Sequence, residues 1–212
     1  MVKDRPLRDF LLMIERGEPL TFSSWGRHEW MALFGERNGY VPKDGYFYFD
    51  RLCNDLTVLL QRRPDYYLGL PEEVSSFGDR VPNYLSGLGL EDLAWYKDVF
   101  KVESAEQLQA VVGTASRVPL LVVGPPKLRK LRNLLRFRAF VDVPPRNQYL
   151  CLDDIVRNTL AALEDFKRPT LVTVSAEVVA PLVIDELHKR AGTFHQLVDV
   201  GKLWEPFAQG LT

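Results

Sequence analysis

Cysteine is scarce in this chain: there are two, Cys53 and Cys151, far apart and without a C-x-x-C spacing. That excludes a disulfide framework and a zinc knuckle, and the expectation is a pair of buried free thiols in a reducing, cytoplasmic compartment. Long hydrophobic runs are missing too. No segment reaches the roughly 18 apolar residues that a membrane helix needs. The opening MVKDRPLRDFLLMIERGE has a short apolar stretch broken by Glu15 and Arg16, unlike a signal peptide. Neither sign of charge dominates: 27 Lys and Arg stand against 28 Asp and Glu, so no global excess points to nucleic acid. Histidines number three. His188 falls late on a helix, His195 begins a strand, and no Ser-His-Asp order emerges. Repeats and low-complexity tracts are absent.

What is present is enough apolar residue, 46% over 212 positions, to bury a sizeable core. Leu7, Phe10, Leu11 and Ile14 predict an amphipathic helix over 6–17. LTFSSW then reads as a strand, and Glu29 to Phe34 as the next helix. ERNGYVPKDG (36–45) reads as a loop, FYFDRLCNDLTVLLQRR (47–63) as a helix and DYYLGL as a strand. SSFGDRVPN (75–83) reads as a loop, LEDLAWYKDVF (90–100) as a helix, and Ser104 as the N-cap of a further helix. The last hundred residues alternate clearly. Strands VPLLVVG, AFVDV, TLVTVS and HQLVDVG are separated by helices over 127–136, 152–166 and 178–190. The expected fold is therefore α/β: a Rossmann-like, mostly parallel sheet with helices on both faces, in a single domain. Ligands of such sheets bind beyond the carboxyl ends of the strands. That rule selects the corners at Trp25, Gly124, Val143, Ser175 and Gly201.

Each corner has a functional and a structural reading. In SSWGRHEW, Gly26 permits a tight turn, and Glu29 is either a metal ligand or general base, or a charge favoured at a helix start. VVGPPKLRK brings cations to a helix start, but Pro125 and Pro126 donate no N–H, so it is no P-loop. Six basic residues from Lys127 to Arg138 make either a solvated face or a phosphate contact. In DVPPRNQY, Asp142 ends a strand and Arg146–Asn147 follow a stiff Pro-Pro, as either a binding loop or a plain turn. VSAEVVAP and VDVGKLWEPF supply Ser175, Glu177, Asp199, Gly201 and Glu205. Asp199 is either a ligand-facing carboxylate or a helix-capping group.

These corners, taken in order, resemble the GT-D glycosyltransferases, including the short members found in phage genomes. That family's first motif reads Arg, an aromatic, Gly, Asp, Gly, Glu. Here the matching stretch is Ser24-Trp25-Gly26-Arg27-His28-Glu29-Trp30. Asn38 and Asp44-Gly45-Tyr46 are similar to its next loop, and PDYYLGLP to its second strand. FVDVPPRNQY, TVSAEVVAPLVIDEL and LVDVGKLWEPFAQGLT resemble its later segments.

The resemblance implies transfer of a sugar from a nucleotide sugar, a UDP-sugar first, to an acceptor hydroxyl. Mn²⁺ or Mg²⁺ would sit between the donor phosphates and the acidic motif, with Glu29 as a ligand. It implies a catalytic carboxylate, Glu29 or Asp199, serving as base. Trp25, Gly26, Arg27, His28, Asp142, Arg146, Asn147, Ser175, Glu177 and Gly201 would line the donor site. The chain departs from the pattern at Ser24 for the motif Arg, Arg27 for the Asp, His28 for the second Gly and Glu177 for a later Gly. Arg27 reverses the charge where a metal ligand is expected, which counts against the ion. Two outcomes are open: Arg27 holds the diphosphate in place of a metal, or it pairs with Glu29 or Glu177 and the domain is a non-catalytic interaction module. The acceptor is a protein, a glycan or modified DNA. No membrane partner is expected, and a homo-oligomer is left open.

Overall fold

The computed structural model describes residues 2–36, 49–102, 104–146 and 148–208. Its strands are β1 (Val2–Lys3), β2 (Leu20–Ser24), β3 (Tyr67–Leu70), β4 (Trp95–Lys97), β5 (Leu120–Gly124), β6 (Ala139–Asp142), β7 (Leu171–Val174) and β8 (Gln196–Asp199). They form one sheet in the order β1-β4-β3-β2-β8-β7-β5-β6, and every pairing is parallel. The Rossmann-like α/β expectation holds. All carboxyl ends in this sheet open onto a single rim.

The inner strands β5 and β7 are apolar almost throughout because both their faces are covered. Leu68, Leu121, Val123, Val172 and Leu197 point into one core. There they meet α2 (Arg27–Leu33), α3 (Phe49–Gln61), α7 (Leu152–Leu163) and α8 (Ala180–Ala191). Phe22, Leu120, Val122, Leu171 and Val198 point the other way, onto α1 (Leu7–Arg16) and α5 (Ala105–Ala115). α5 starts as expected, with Ser104 Oγ accepting the Gln107 amide. Trp25, Trp30 and Trp95 cluster in the first core, with ring centroids 6.2 Å apart for Trp25–Trp95 and 5.6 Å for Trp30–Trp95. The Trp30 indole N–H donates to the Trp25 carbonyl at 3.1 Å, fastening α2 to the end of β2.

Three local expectations are corrected. Residues 90–100 are not a helix: Trp95–Lys97 pair between β1 and β3 as β4. The helical spacing of Leu93 and Phe100 misled because those side chains enter opposite cores. Residues 75–83 are not a loop: a 3₁₀ turn (Glu72–Phe77) leads to α4 (Arg80–Gly87). Pro82 sits in the first turn of α4, where a missing N–H costs nothing. The 127–136 helix is a 3₁₀ turn (Pro126–Leu131) followed by α6 (Arg132–Leu135), stopped by Arg136 at φ 51°. The basic run therefore does not form one continuous helical face. Elsewhere a 3₁₀ turn (Glu177–Val179) precedes α8, and α9 (Glu205–Ala208) packs on the Pro126 turn. No helix among the described residues is long and apolar enough to cross a membrane.

Candidate functional site

The site grows from the end of β2. Ser24 closes the strand, and Gly26 caps α2 in an extended conformation without a side chain of its own to bond the helix. Glu29, three residues on, turns its carboxyl back to the amides of Gly26 and Glu29. This is half of a capping box. A Cβ on Gly26 would stand 3.3 Å from Glu29 Oε2 and equally 3.3 Å from Glu73 Oε1, so a side chain there would press both carboxylates aside by a few tenths of an ångström. The helix-start reading of Glu29 is thus part of its geometry. The reading is incomplete, because Glu29 is only 8% exposed. Burial, with help from the negative Glu73 and Asp98, pushes its carboxyl up to about 7 against the pull of the amides.

Two further buried acids stand beside it. Asp199 ends β8 next to β2. Its Oδ1 accepts the Gly201 amide at 3.0 Å and its Oδ2 the Ser24 amide at 3.3 Å. Burial raises its carboxyl well above the usual range, and Glu29 and Asp98 add to the effect. Asp98 follows β4. Its Oδ2 accepts the Ser24 hydroxyl at 2.5 Å, and its Oδ1 accepts the amides of Phe100 at 3.1 Å and Lys101 at 3.3 Å. Burial raises Asp98 too, against those bonds. Ser24 therefore bridges two buried carboxyls, one through its hydroxyl and one through its amide.

Over this cluster lies Glu73, on the Glu72–Phe77 turn. It pairs with Lys101 and accepts the Arg27 amide at 3.3 Å. Burial works to raise its carboxyl, but Lys101 and that amide outweigh it and hold the group below its ordinary value. His28 is half-buried. Burial and Lys202 depress its imidazole, while Glu177 and Glu73 pull the other way.

The structure brings Gly26, His28, Glu29, Asp199 and Gly201 together, with Glu177 close enough to act on His28. Arg27 is on this rim, but its guanidinium lies over the Phe77 ring at 5.4 Å and donates to Ser76 Oγ at 3.4 Å. Trp25 is fully buried and belongs to the tryptophan cluster. Ser175 is 8% exposed beside Gly124, and its hydroxyl has no hydrogen-bond partner among the described residues. Asp142 is far off, at the end of β6. That is the fourth strand from β2, about 19 Å at ordinary strand spacing. It is exposed and held by Arg129 through two hydrogen bonds. Arg146 is exposed in the loop after β6. Asn147, together with Asn38, Asp44, Gly45 and Tyr46, lies outside the described residues. In the basic run, Lys127 pairs with Glu205, Arg129 with Asp142, and Arg138 lies over Phe166.

Sequence reasoning missed Asp98, Glu73 and Lys101. Asp98 was hidden inside the segment read as a helix. The signal that marks it is an acid two residues after the aromatic pair Trp95-Tyr96, the pattern of a short strand and its end. As for the divalent ion, no three His, Cys, Asp or Glu side chains among the described residues are placed to hold a metal together. The oxygens of Asp98 and Asp199 accept amide or hydroxyl protons from the protein.

The fold and rim define a doubly wound parallel α/β protein with buried acids at the carboxyl ends of its strands. No protein-family model matches the chain, and no curated protein matches it in sequence. Solved structures do match. One described as a new glycosyltransferase (DUF1792) from Streptococcus sanguinis superposes with a TM-score of 0.68 at 15% identity, over 99% of this chain and 86% of that one. A selenomethionine-substituted structure of domain of unknown function 1792 gives 0.67 at 17%, over 99% and 82%. A third, described as showing that this domain has a distinct glycosyltransferase fold, gives 0.65 at 16%, over 99% and 82%. The GT-D-type fold implied by the corner motifs is the fold the chain has.

Proposed function

We propose that the protein transfers a sugar from a nucleotide sugar, a UDP-sugar first, to an acceptor hydroxyl at the rim between β2, β4 and β8. The observation that carries the reading is the trio Glu29, Asp98 and Asp199, buried at strand ends of a fold shared with glycosyltransferases. A carboxyl near 7 is suited to accept a proton from an attacking hydroxyl at neutral pH, and that is the role assigned to Glu29. Asp199, held by two amides, orients the acceptor or the sugar. The departing diphosphate gains negative charge, and the cations at hand are Arg27, Lys101 and Lys202 on the rim. No step is assigned to a metal, consistent with Arg27 standing where the resembled motif has an acid. Calorimetric titration with UDP-glucose and other nucleotide sugars, with and without Mn²⁺, tests the reading. Heat of binding that does not need Mn²⁺ supports it, and no heat with any donor removes it.

One observation favours a second reading, a non-catalytic interaction domain. The three acids are 8%, 6% and 3% exposed, and their hydrogen bonds go to the protein itself. On that reading Glu29→Ala alters stability or partner binding and no transfer activity exists to lose.

A further inference from the structure

Asp98 crosses a neighbouring strand to reach its partner. It follows β4, yet its hydroxyl donor is Ser24 on β2, with β3 between them. The crossing is made over Gly69 of β3. A Cβ there would lie 3.4 Å from Asp98 Cβ and 2.4 Å from the Phe22 ring. A side chain at residue 69 would occupy the path that Asp98 takes. The arrangement is costly to keep. A carboxyl that is 6% exposed loses its hydration, and the bonds it receives come from two amides and one hydroxyl. An apolar side chain would pack there without that cost. What the acid achieves is local: it holds Ser24, and the Ser24 amide holds Asp199 Oδ2.

We propose that Asp98 is a positioning residue for the candidate site, acting through Ser24 to fix the direction in which Asp199 presents its carboxyl. The proposal rests on the transferase reading for its activity arm and on hydrogen bonding alone for its other arm. Ser24 occupies the place of the resembled motif's Arg, and its hydroxyl and amide reach the two acids.

The experiment compares wild type, Asp98→Ala, Ser24→Ala, the double variant and Asp98→Asn. Amide hydrogen exchange is measured by NMR, and steady-state kinetics with whichever nucleotide sugar the titration finds. In Asp98→Ala the amides of Ser24 and Gly201, the two donors to Asp199, exchange at least about tenfold faster, as expected when a buried acceptor loses its support. Both alanine variants lose roughly tenfold or more in kcat with KM within about twofold, the pattern of lost orientation. The double variant is no worse than either single one, because both remove the same link. Asp98→Asn, which keeps a hydrogen-bonding group against Ser24, restores most of the rate. Unchanged exchange at Ser24 and Gly201 overturns the link, whether or not the protein is active. A kcat that stays at the wild-type value in Asp98→Ala, with only a lower melting temperature, also overturns it. Faster exchange in a protein that binds no nucleotide sugar upholds the link and sinks the transferase reading instead.

Discussion

Two stretches of the same rim invite comparison. At the ends of β2, β4 and β8 stand Glu29, Asp98 and Asp199, all buried and held by amides and a hydroxyl. At the end of β6 stands Asp142, exposed and held by Arg129, whose guanidinium also covers the Phe140 ring at 4.6 Å. Topology treats the two alike, since both are carboxylates following a parallel strand. Burial separates them. In the first stretch burial strips water from the charged form, and neighbouring carboxylates add to this at Glu29 and Asp199, so proton affinity rises. In the second, an ion pair in water is screened and contributes little. Strand-end position selects a rim; desolvation selects the chemistry on it.

The comparison breaks most easily at Glu29. Glu29→Gln keeps size and the ability to hydrogen-bond but cannot accept a proton, so kcat for sugar transfer falls by about 10²-fold or more while donor binding persists. Asp142→Asn, measured side by side, stays within about twofold of wild type. Equal losses in the two variants would erase the distinction between the stretches.

Stability against pH sharpens it. The Glu29 carboxyl is raised in the folded state from 4.5 to about 7. The folded chain therefore holds this proton more tightly than the unfolded chain. The resulting stabilisation is fully present below pH 4.5 and is lost as pH rises through about 7. The loss from this group is on the order of 3 kcal/mol, and Asp98 and Asp199 act in the same direction. Urea denaturation at pH 5 and pH 8 measures it: wild type is weaker at the higher pH, and Glu29→Gln flattens much of the slope.

Glycines give a smaller contrast. A Cβ on Gly69 would meet the Phe22 ring at 2.4 Å, and that ring is wedged between Phe10 and Phe100. A Cβ on Gly124 would meet Leu128 Cδ1 at 2.8 Å, the far end of a flexible side chain. Gly69→Ala therefore costs about 1–3 kcal/mol of stability by overpacking, and Gly124→Ala less, in the same denaturation assay. Smallest of all is Arg129→Ala. The exposed pair with Asp142 is lost, transfer stays within about twofold, and the melting temperature moves by no more than about two degrees.

Much of the fold was legible because the second half of the chain repeats a simple physical rule. Apolar runs such as Leu120–Val123 have both faces to cover, and helices with one apolar face cover them. The strand β4 escaped notice because three residues are too few to show a period, and its partners β1 and β3 are far away in sequence. The corner rule found the rim and, on it, Glu29 and Asp199. It had no means to separate these buried acids from the exposed Asp142, because exposure is a property of packing. It passed over Asp98 because β4 was read as part of a helix, and the bond of Asp98 to Ser24 spans 74 positions and a whole intervening strand. The Arg27 guanidinium was equally out of reach, since a ring from the Glu72–Phe77 turn takes it.

The tryptophan cluster gives this molecule an optical handle. Of its four indoles, Trp25, Trp30 and Trp95 are gathered in one core, Trp30 immediately after Glu29, while Trp204 sits in the other. Excitation absorbed by any of the three passes readily among them, so their emission reports one neighbourhood as a unit. With Trp204→Phe the intrinsic fluorescence becomes a label-free gauge of that neighbourhood, through which a ligand arriving beside Glu29 can be followed in a stopped-flow trace.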